Sequence, residues 1–353
     1  MIAIPGGRLE RALRDKARRF LKSQRGLRKP ELRDIFSRAA YIFPGDLRVE
    51  NYPRRPVVAF NPGAILRGDR LWMFPRLVFD YYNYTSSIGF IEAGISDVVE
   101  GALEKPLGTR VILWPKYLWE FKGCEDARVH REGDRYLLLY TGYGYMVKGD
   151  ALSTSIVQGL AVFDSELKET KRGYFAITGD GERFLPRAAK DSVIITVRRE
   201  EAVMLSRPTM GDVDICWRSR ADLGEPCFLG ETMEPVLANE EWEFKVGWST
   251  NAVKLSSNEY LVGWHGVLRE DYSYRNGIAV VDEEGDLLAI SNYLLAPKGI
   301  VEEYGDRPLV VFGDGLVRYR ELLVWIGGIS DYAMAIFTAE LEKVMETLKW
   351  IRG

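Results

Sequence analysis

Histidine is nearly absent from the chain. His130 and His265 are the only two in 353 residues, so a His-rich metal site is excluded. Cysteine is almost as scarce. Cys124, Cys216 and Cys227 are odd in number and show no CxxC spacing, which argues against a disulfide framework or a zinc knuckle and suits a reducing cytosol. No apolar run approaches the roughly 20 residues of a membrane span, and the N-terminus lacks the apolar stretch of a signal peptide. A cytoplasmic protein with no membrane partner is therefore expected. The formal net charge is only −3, so no global excess of positive charge points to nucleic acid. A nucleophilic-serine enzyme is disfavoured because no Gly-x-Ser-x-Gly elbow occurs. Gly179-Asp180-Gly181 lacks the following helical pattern that a dinucleotide site needs.

What is present is apolar and strand-rich. The 46% hydrophobic and 12% aromatic content suffices for a large core. Residues 1–50 differ from the rest and read as a basic helical extension, with residues 51–353 as the catalytic body. Over residues 8–40 the pattern predicts a helix: Leu9, Leu13, Ala17, Phe20 and Leu21 recur at helical spacing, amid Arg11, Arg14, Arg18, Arg19, Lys22 and Arg25. Such a stripe suits docking onto the body or onto a second copy, so a homo-oligomer through this helix is one expectation. Without interleaved aromatics the basic face is a weak case for RNA or lipid.

From residue 57 onward, short apolar runs alternate with polar turns. Five hairpin signatures begin at residues 67, 132, 198, 256 and 318, a period of about 60. Third strands are predicted at 87–95, 157–164, 213–217, 277–282 and 332–338, and fourth strands at 111–114, 174–177, 234–237 and 287–295. A closing helix is predicted over 338–351. The expected fold is all-β, a five-bladed β-propeller with an N-terminal helical extension and a C-terminal helix.

The first strand of each repeat opens on Asn or Asp: Asn61, Asp126, Asp191, Asn251 and Asp306. First strands of a propeller line its channel, so these side chains are expected as a ring at one mouth. Closure of a local turn by each Asx explains the same pattern, and both readings hold together. A polar ring suits a polyol, and Tyr82, Tyr84, Tyr143, Tyr145, Trp248 and Trp264 are candidates to stack on a sugar. Arg76, Arg207 and His265 follow second strands, and Lys190 precedes Asp191. Bases converging on a carboxylate-lined mouth suit an anion such as phosphate, or serve as ion-pair partners of the ring.

The segment Gly123-Cys124-Glu125-Asp126-Ala127-Arg128-Val129 stands out, because only this repeat has an acid before its Asx and an arginine two residues after it. With Asn61-Pro62-Gly63-Ala64, Lys190-Asp191, Ser206-Arg207-Pro208, Trp264-His265-Gly266-Val267 and Gly327-Gly328-Ile329-Ser330-Asp331, it resembles glycoside hydrolase family 130 over residues 57–341. These are five-bladed propellers that cleave β-mannosides by phosphorolysis or hydrolysis. The resemblance implies Asp126 as the general acid of an inverting reaction, acting through a hydroxyl of the bound mannosyl unit. It implies that Arg76, Asp191, Arg207, His265 and Asp331 contact sugar or nucleophile, and that Arg172 and Lys190 bind phosphate. Asn61, Glu125 and Asn251 join them as substrate-binding candidates. Ala127 stands where the family has proline, Ser206 where phosphorylases often have histidine, and Ile156-Val157-Gln158-Gly159 lacks a phosphate-binding arginine.

The expectation is an oligosaccharide-cleaving enzyme with no metal or organic cofactor and inorganic phosphate as co-substrate. Hydrolysis, with Glu231, Glu234 or Glu243 as base, is the alternative, and a non-catalytic sugar-binding propeller is a third reading. Whether Arg128 pairs with Asp126 or binds substrate stays open, because a regular strand would put both on one face.

Overall fold

A computed structural model describes residues 7–24 and 26–351. Arg25, counted above in the basic run, lies outside them. Strands dominate, with α-helices only at Arg8–Ser23, Ile95–Glu100, Ile300–Glu303 and Leu341–Glu346 among the described residues.

The strands pair into sheets of four, nine, eight and six. The nine-stranded sheet contains two successive antiparallel meanders. The first runs Val58–Arg67, Arg70–Val78, Ser86–Gly94 and Leu107–Leu113. The second runs Gly123–Glu132, Arg135–Lys148, Ala151–Phe163 and Glu169–Tyr174. They join only where Ser86 pairs with Gly123. The third meander is Ala189–Arg198, Glu201–Met210 and Cys216–Asp222, with Glu234–Leu237 outside. The fourth is Glu243–Trp248, Glu259–Leu268, Tyr274–Asp282 and Leu287–Ile290. The fifth is Val311–Tyr319, Leu322–Ile329 and Ala333–Glu340.

The tight hairpins follow from turn chemistry. Gly68 and Gly133 sit at φ 62° and 59°, as two-residue hairpin turns require. Arg199 and Arg320 hold φ of 62° and 54° in the third and fifth hairpins, where no glycine relieves the strain.

Middle strands are buried on both faces. Leu137 and Leu139 enter one apolar cluster, while Tyr136, Leu138 and Tyr140 enter another. Likewise Ile194 and Met204 face one core while Val193, Ile195 and Leu205 face a second. A strand with two buried faces reads as a continuous apolar run, which is why these segments are legible as strands without clean alternation.

The N-terminal segment departs from expectation. The helix ends at Ser23 instead of reaching residue 40. Gly26 takes φ 79°, and Pro30 removes a backbone donor shortly after, so the helix cannot continue. Residues Ser37–Ile42 form a strand that pairs antiparallel with Ala333–Glu340, supplying the fifth meander's fourth strand. The helix itself lies on its own chain. Leu9, Leu13 and Ala17 are buried in the cluster that holds Ile177, Phe228 and Met233. Glu182 accepts from the amides of Arg8 and Leu9 at 2.9 and 3.1 Å, satisfying two donors of the first turn. Leu341–Glu346 is shorter than the predicted closing helix.

The three cysteines are free and buried. No helix among the described residues is long and apolar enough to cross a membrane.

Candidate active site

Three first strands carry the same irregularity. The register breaks between Phe60 and Gly63, between Glu125 and Arg128, and between Lys190 and Val193. At each break an Asx takes a left-handed backbone: Asn61 at φ 46°, Asp126 at 52° and Asp191 at 54°. Asn and Asp tolerate this conformation better than other side chains, and a bulge re-aims the residue it displaces. At these three positions the local turn and the inward polar side chain are one feature, because the bulge that needs an Asx also points it toward the cavity.

A cavity of about 180 Å³ receives these three side chains. Its other lining includes Arg76, Glu125, Lys190, His265 and Asp331 from the predicted set, and Lys245, Tyr274, Arg307, Val310 and Phe312 besides. On one wall Asn61 Nδ2 donates to Asp126 Oδ1 at 2.9 Å. Arg76 lies against both acids, with Nη2 2.8 Å from Glu125 Oε1 and Nη1 3.4 Å from Asp126 Oδ1. Its Nε donates to Ser86 Oγ at 2.8 Å. Burial pushes the Glu125 carboxyl up, against the pull of Arg76. Asp331 is raised by burial to about 6, again opposed by Arg76.

The opposite chemistry gathers around Asp191. Burial works against its ionisation, but the charges of Arg207, Lys190 and Arg128 outweigh that and hold it well below the usual carboxylate range. Arg207 Nε donates to Asp191 Oδ2 at 2.7 Å, and Nη1 pairs with Asp214. Arg207 therefore fixes Asp191 and is not itself on the cavity wall. His265 is buried, with Nδ1 3.0 Å from Ser249 Oγ, and burial lowers its pKa far enough to leave it neutral.

Lys190 and Lys245 complete the basic wall. Burial depresses both, Lys245 to about 8. Neither makes a hydrogen bond or ion pair with a side chain of the described residues. Lys245 and Arg307 sit over the Tyr274 ring at 5.0 and 4.6 Å.

The bulge also settles the place of Arg128. Strand alternation fails between Glu125 and Arg128, so Asp126 faces the cavity while the Arg128 guanidinium turns beneath it. Arg128 donates to the carbonyls of Asp126 at 2.8 Å and Ser249 at 2.7 Å. Its Nη2 lies 2.9 Å from Asp314 Oδ1 and 3.6 Å from Asp191 Oδ1. One buried cation thus ties four meanders together under the site and holds the Asp126 backbone in place.

Several sequence expectations fall elsewhere. Asn251 is not on the cavity wall: its amide side chain exchanges hydrogen bonds with the Leu316 backbone, both at 2.9 Å. Asp306 is exposed and stands at the rim, 3.4 Å from Tyr81 Oη. The Asx of the fifth first-strand bulge is Asp314, between Gly313 and Gly315. The first four Asx precede their hairpins by five to seven residues, whereas Asp306 precedes its own by twelve and Asp314 by four, so the spacing carried the signal. Arg172 is also away from the cavity. Its Nη1 donates to Glu120 Oε1 and the Trp114 carbonyl, both at 2.8 Å, and Nη2 pairs with Glu169. None of Glu231, Glu234 and Glu243 lines the cavity: Glu234 pairs with Lys16, and buried Glu243 pairs with Arg28. Trp248 and Trp264 are fully buried core residues, not sugar platforms.

Of the residues that sequence reasoning missed, Lys245 had a signal, being the lone cation in the short strand Glu243–Trp248. Tyr274 had none. Among the described residues no cluster of His, Cys, Asp and Glu is arranged to hold a metal.

A protein 26% identical over 303 residues, covering 81% of this chain and 91% of its own length, is the beta-1,2-mannobiose phosphorylase of Thermoanaerobacter sp. (strain X514). The solved beta-1,2-mannobiose phosphorylase of Listeria innocua, in complex with beta-1,2-mannobiose, is similar in fold at TM-score 0.62 and 18% identity, over 87% of this chain and 96% of that one. MPT-4, a mannose phosphorylase from Leishmania mexicana in complex with phosphate ion, matches at TM-score 0.57 and 14% identity, over 97% and 98%. The family described as beta-1,4-mannooligosaccharide phosphorylase matches residues 26–350, and the chain belongs to that family, glycoside hydrolase family 130.

Proposed function

We propose that the protein cleaves β-mannosides with inversion by phosphorolysis, yielding mannose 1-phosphate. The observation that carries this is one cavity with Asp126 on one wall and, on another, Lys190 and Lys245, neither of which forms a direct ion pair within the described residues, although Lys190 lies close enough to Asp191 to favour its ionised form. An unpaired cation in a half-buried cavity calls for an anion. Phosphate is already an anionic nucleophile and needs positive charge more than a base.

In this reading Asn61 and Arg76 orient Asp126, which delivers a proton to the leaving oxygen through a hydroxyl of the mannosyl unit. Phosphate, held by Lys190, Lys245 and Arg307, attacks the anomeric carbon from the other face. The bond from that carbon to the leaving oxygen breaks as the bond to phosphate oxygen forms, and the leaving sugar keeps the proton. Ionised Asp191 accepts from sugar hydroxyls, and neutral His265 adds a second polar contact to the sugar. No metal or organic cofactor is needed. Phosphorylase names among the relatives support the chemistry, and their beta-1,2-mannobiose substrates make that linkage the first to try.

The fold we propose for this chemistry is a five-bladed propeller, each meander a blade. Supporting it are the period of about 60 residues, the packing of successive meanders on both faces, and Arg128 at the point where four of them meet. Hydrolysis is the second reading, favoured by Asp331, a carboxylate on the cavity wall that burial raises to about 6, as suits a base. The test is to incubate β-1,2- and β-1,4-mannobiose with and without phosphate. Phosphate-dependent mannose 1-phosphate is expected. Release of free mannose at the same rate without phosphate would defeat the phosphorolysis reading.

A further inference from the structure

Asp314 is a fully buried acid that is not on the cavity wall. Burying a carboxyl costs free energy unless polar partners offset it, so its place needs a reason. The local backbone drives it inward. In Val311–Tyr319 the register breaks between Gly313 and Gly315, and Asp314 is the residue displaced. Neither glycine has room for a side chain: one at Gly313 would run into the Trp325 ring, and one at Gly315 into Ala64 and the Pro62 carbonyl. The strand is thus pressed against its neighbours on both sides of the bulge, and the bulge aims the Asp314 carboxyl at the interior.

There it meets Arg128. Asp314 Oδ1 lies 2.9 Å from Arg128 Nη2, and Oδ2 has no hydrogen-bond partner within the described residues. The next polar groups around Nη2 are the Trp248 carbonyl at 3.5 Å and Asp191 Oδ1 at 3.6 Å, both long for a hydrogen bond. Asp191 is already taken by Arg207, whose Nη2 lies 2.7 Å from Oδ2. Burial pushes the Asp314 carboxyl well up, against the pull of Arg128, so the contact calls for an acceptor oxygen more than for a full negative charge.

The rest of the guanidinium holds the site. Nη1 donates to the carbonyl of Asp126, inside the bulge that carries this residue. Nε donates to the Ser249 carbonyl, and the Ser249 hydroxyl meets His265 Nδ1 at 3.0 Å. The same cation is one of the charges that keep Asp191 ionised. A guanidinium is planar and moves as a unit, so whatever fixes Nη2 also fixes Nε and Nη1.

We propose that Asp314 is a positioning residue: from beneath the cavity it fixes Arg128 in the orientation that sets the Asp126 bulge and steadies Asp191 and, through Ser249, His265. Without it, Nη2 is drawn toward Asp191, its next nearest carboxylate, and the hold on the Asp126 carbonyl slackens. The inference rests on Asp126 being the general acid, as in the reading above.

The experiment measures kcat and KM for β-1,2-mannobiose with phosphate in the parent, Asp314→Asn and Asp314→Leu, with circular dichroism on heating to establish that each is folded. Asparagine keeps an oxygen toward Arg128 and is expected to leave kcat within about threefold, whereas leucine fills the space without an acceptor and is expected to lower kcat about ten- to hundredfold. KM for both substrates is expected to stay within about threefold in either variant, because no group on the cavity wall is removed. A purely structural role would lower the melting temperature and leave kcat per folded molecule unchanged. A folded leucine variant with kcat within about twofold of the parent therefore overturns the proposal, as does an asparagine variant as slow as leucine. Asp314→Ala is measured beside them and held to the same outcomes as leucine, so that a leucine chain that fails to fold leaves the test standing. Crystal structures of the parent and the folded apolar variant keep this inference apart from the phosphorolysis reading. Movement of the Asp126 carboxylate off Asn61 Nδ2 supports it even if no mannoside is turned over. An unmoved bulge rejects it even where mannose 1-phosphate forms.

Discussion

Asp126 is where sequence and geometry agree in place, and its role is open to a direct test. Asp126→Asn keeps the bulge conformation and the Asn61 contact, so the fold is expected to melt at its normal temperature. Loss of a positioned general acid costs on the order of 10²–10⁴-fold in rate. Activity within a few-fold of the parent, measured on mannobiose with phosphate, would remove Asp126 from the reaction. The pH profile follows from two other residues. Asp331, raised by burial to about 6, is ionised above that pH, and Lys245, depressed by burial to about 8, is charged below it. Phosphate binding by Lys245 predicts that kcat/KM for phosphate falls as pH rises through about 8, whereas an acid limb near 6 is expected only if Asp331 acts as base in hydrolysis. Lys245→Arg keeps its charge at any working pH and should flatten the alkaline limb. An alkaline limb unchanged in that variant would assign it to another group.

Among the elements, the strands were legible because their apolar runs are bounded by turn residues at a fixed period. Their register was not. The bulges at Asn61, Asp126 and Asp191 change which side chains face inward, and a bulge is set by what the neighbouring strand allows. That is why Arg128 remained ambiguous from alternation alone, whereas Asp306 stood in for Asp314 even though its distance of twelve residues from the hairpin already broke the pattern of the other four. Arg172 shows the same limit. A basic residue on a strand edge looks like a phosphate ligand in one dimension, yet its partners Glu120 and Trp114 lie more than fifty residues earlier. Arg172→Ala strands the buried Glu120 carboxylate without its cation, and breaking such a pair costs about 3–5 kcal/mol. Urea unfolding should show this loss, while KM for phosphate in the folded fraction stays near the parent value. A large rise in that KM with unchanged stability would return Arg172 to the phosphate site.

Across the whole molecule, the N-terminal segment supplies an edge strand to the last meander. Ser37–Ile42 pairs with a strand nearly three hundred residues later, and Arg38 makes its ion pair with buried Glu302. Removal of residues 1–36 sacrifices the helix and its core contacts, whereas removal through residue 43 also takes the edge strand. The shorter truncation is expected to stay folded at reduced stability and the longer to lose cooperative unfolding, as followed by circular dichroism on heating. Equal melting of the two would deny the strand its role. The sequence by itself determined the repeat period, the all-β content and the acid-rich segment at Glu125-Asp126, because these depend on neighbours within one hairpin. Only the tertiary structure decided which Asx reach the cavity, which cations stay unpaired in it, and that residues 37–42 are strand and not helix. Those outcomes depend on partners far along the chain, and local spacing carries no information about such contacts.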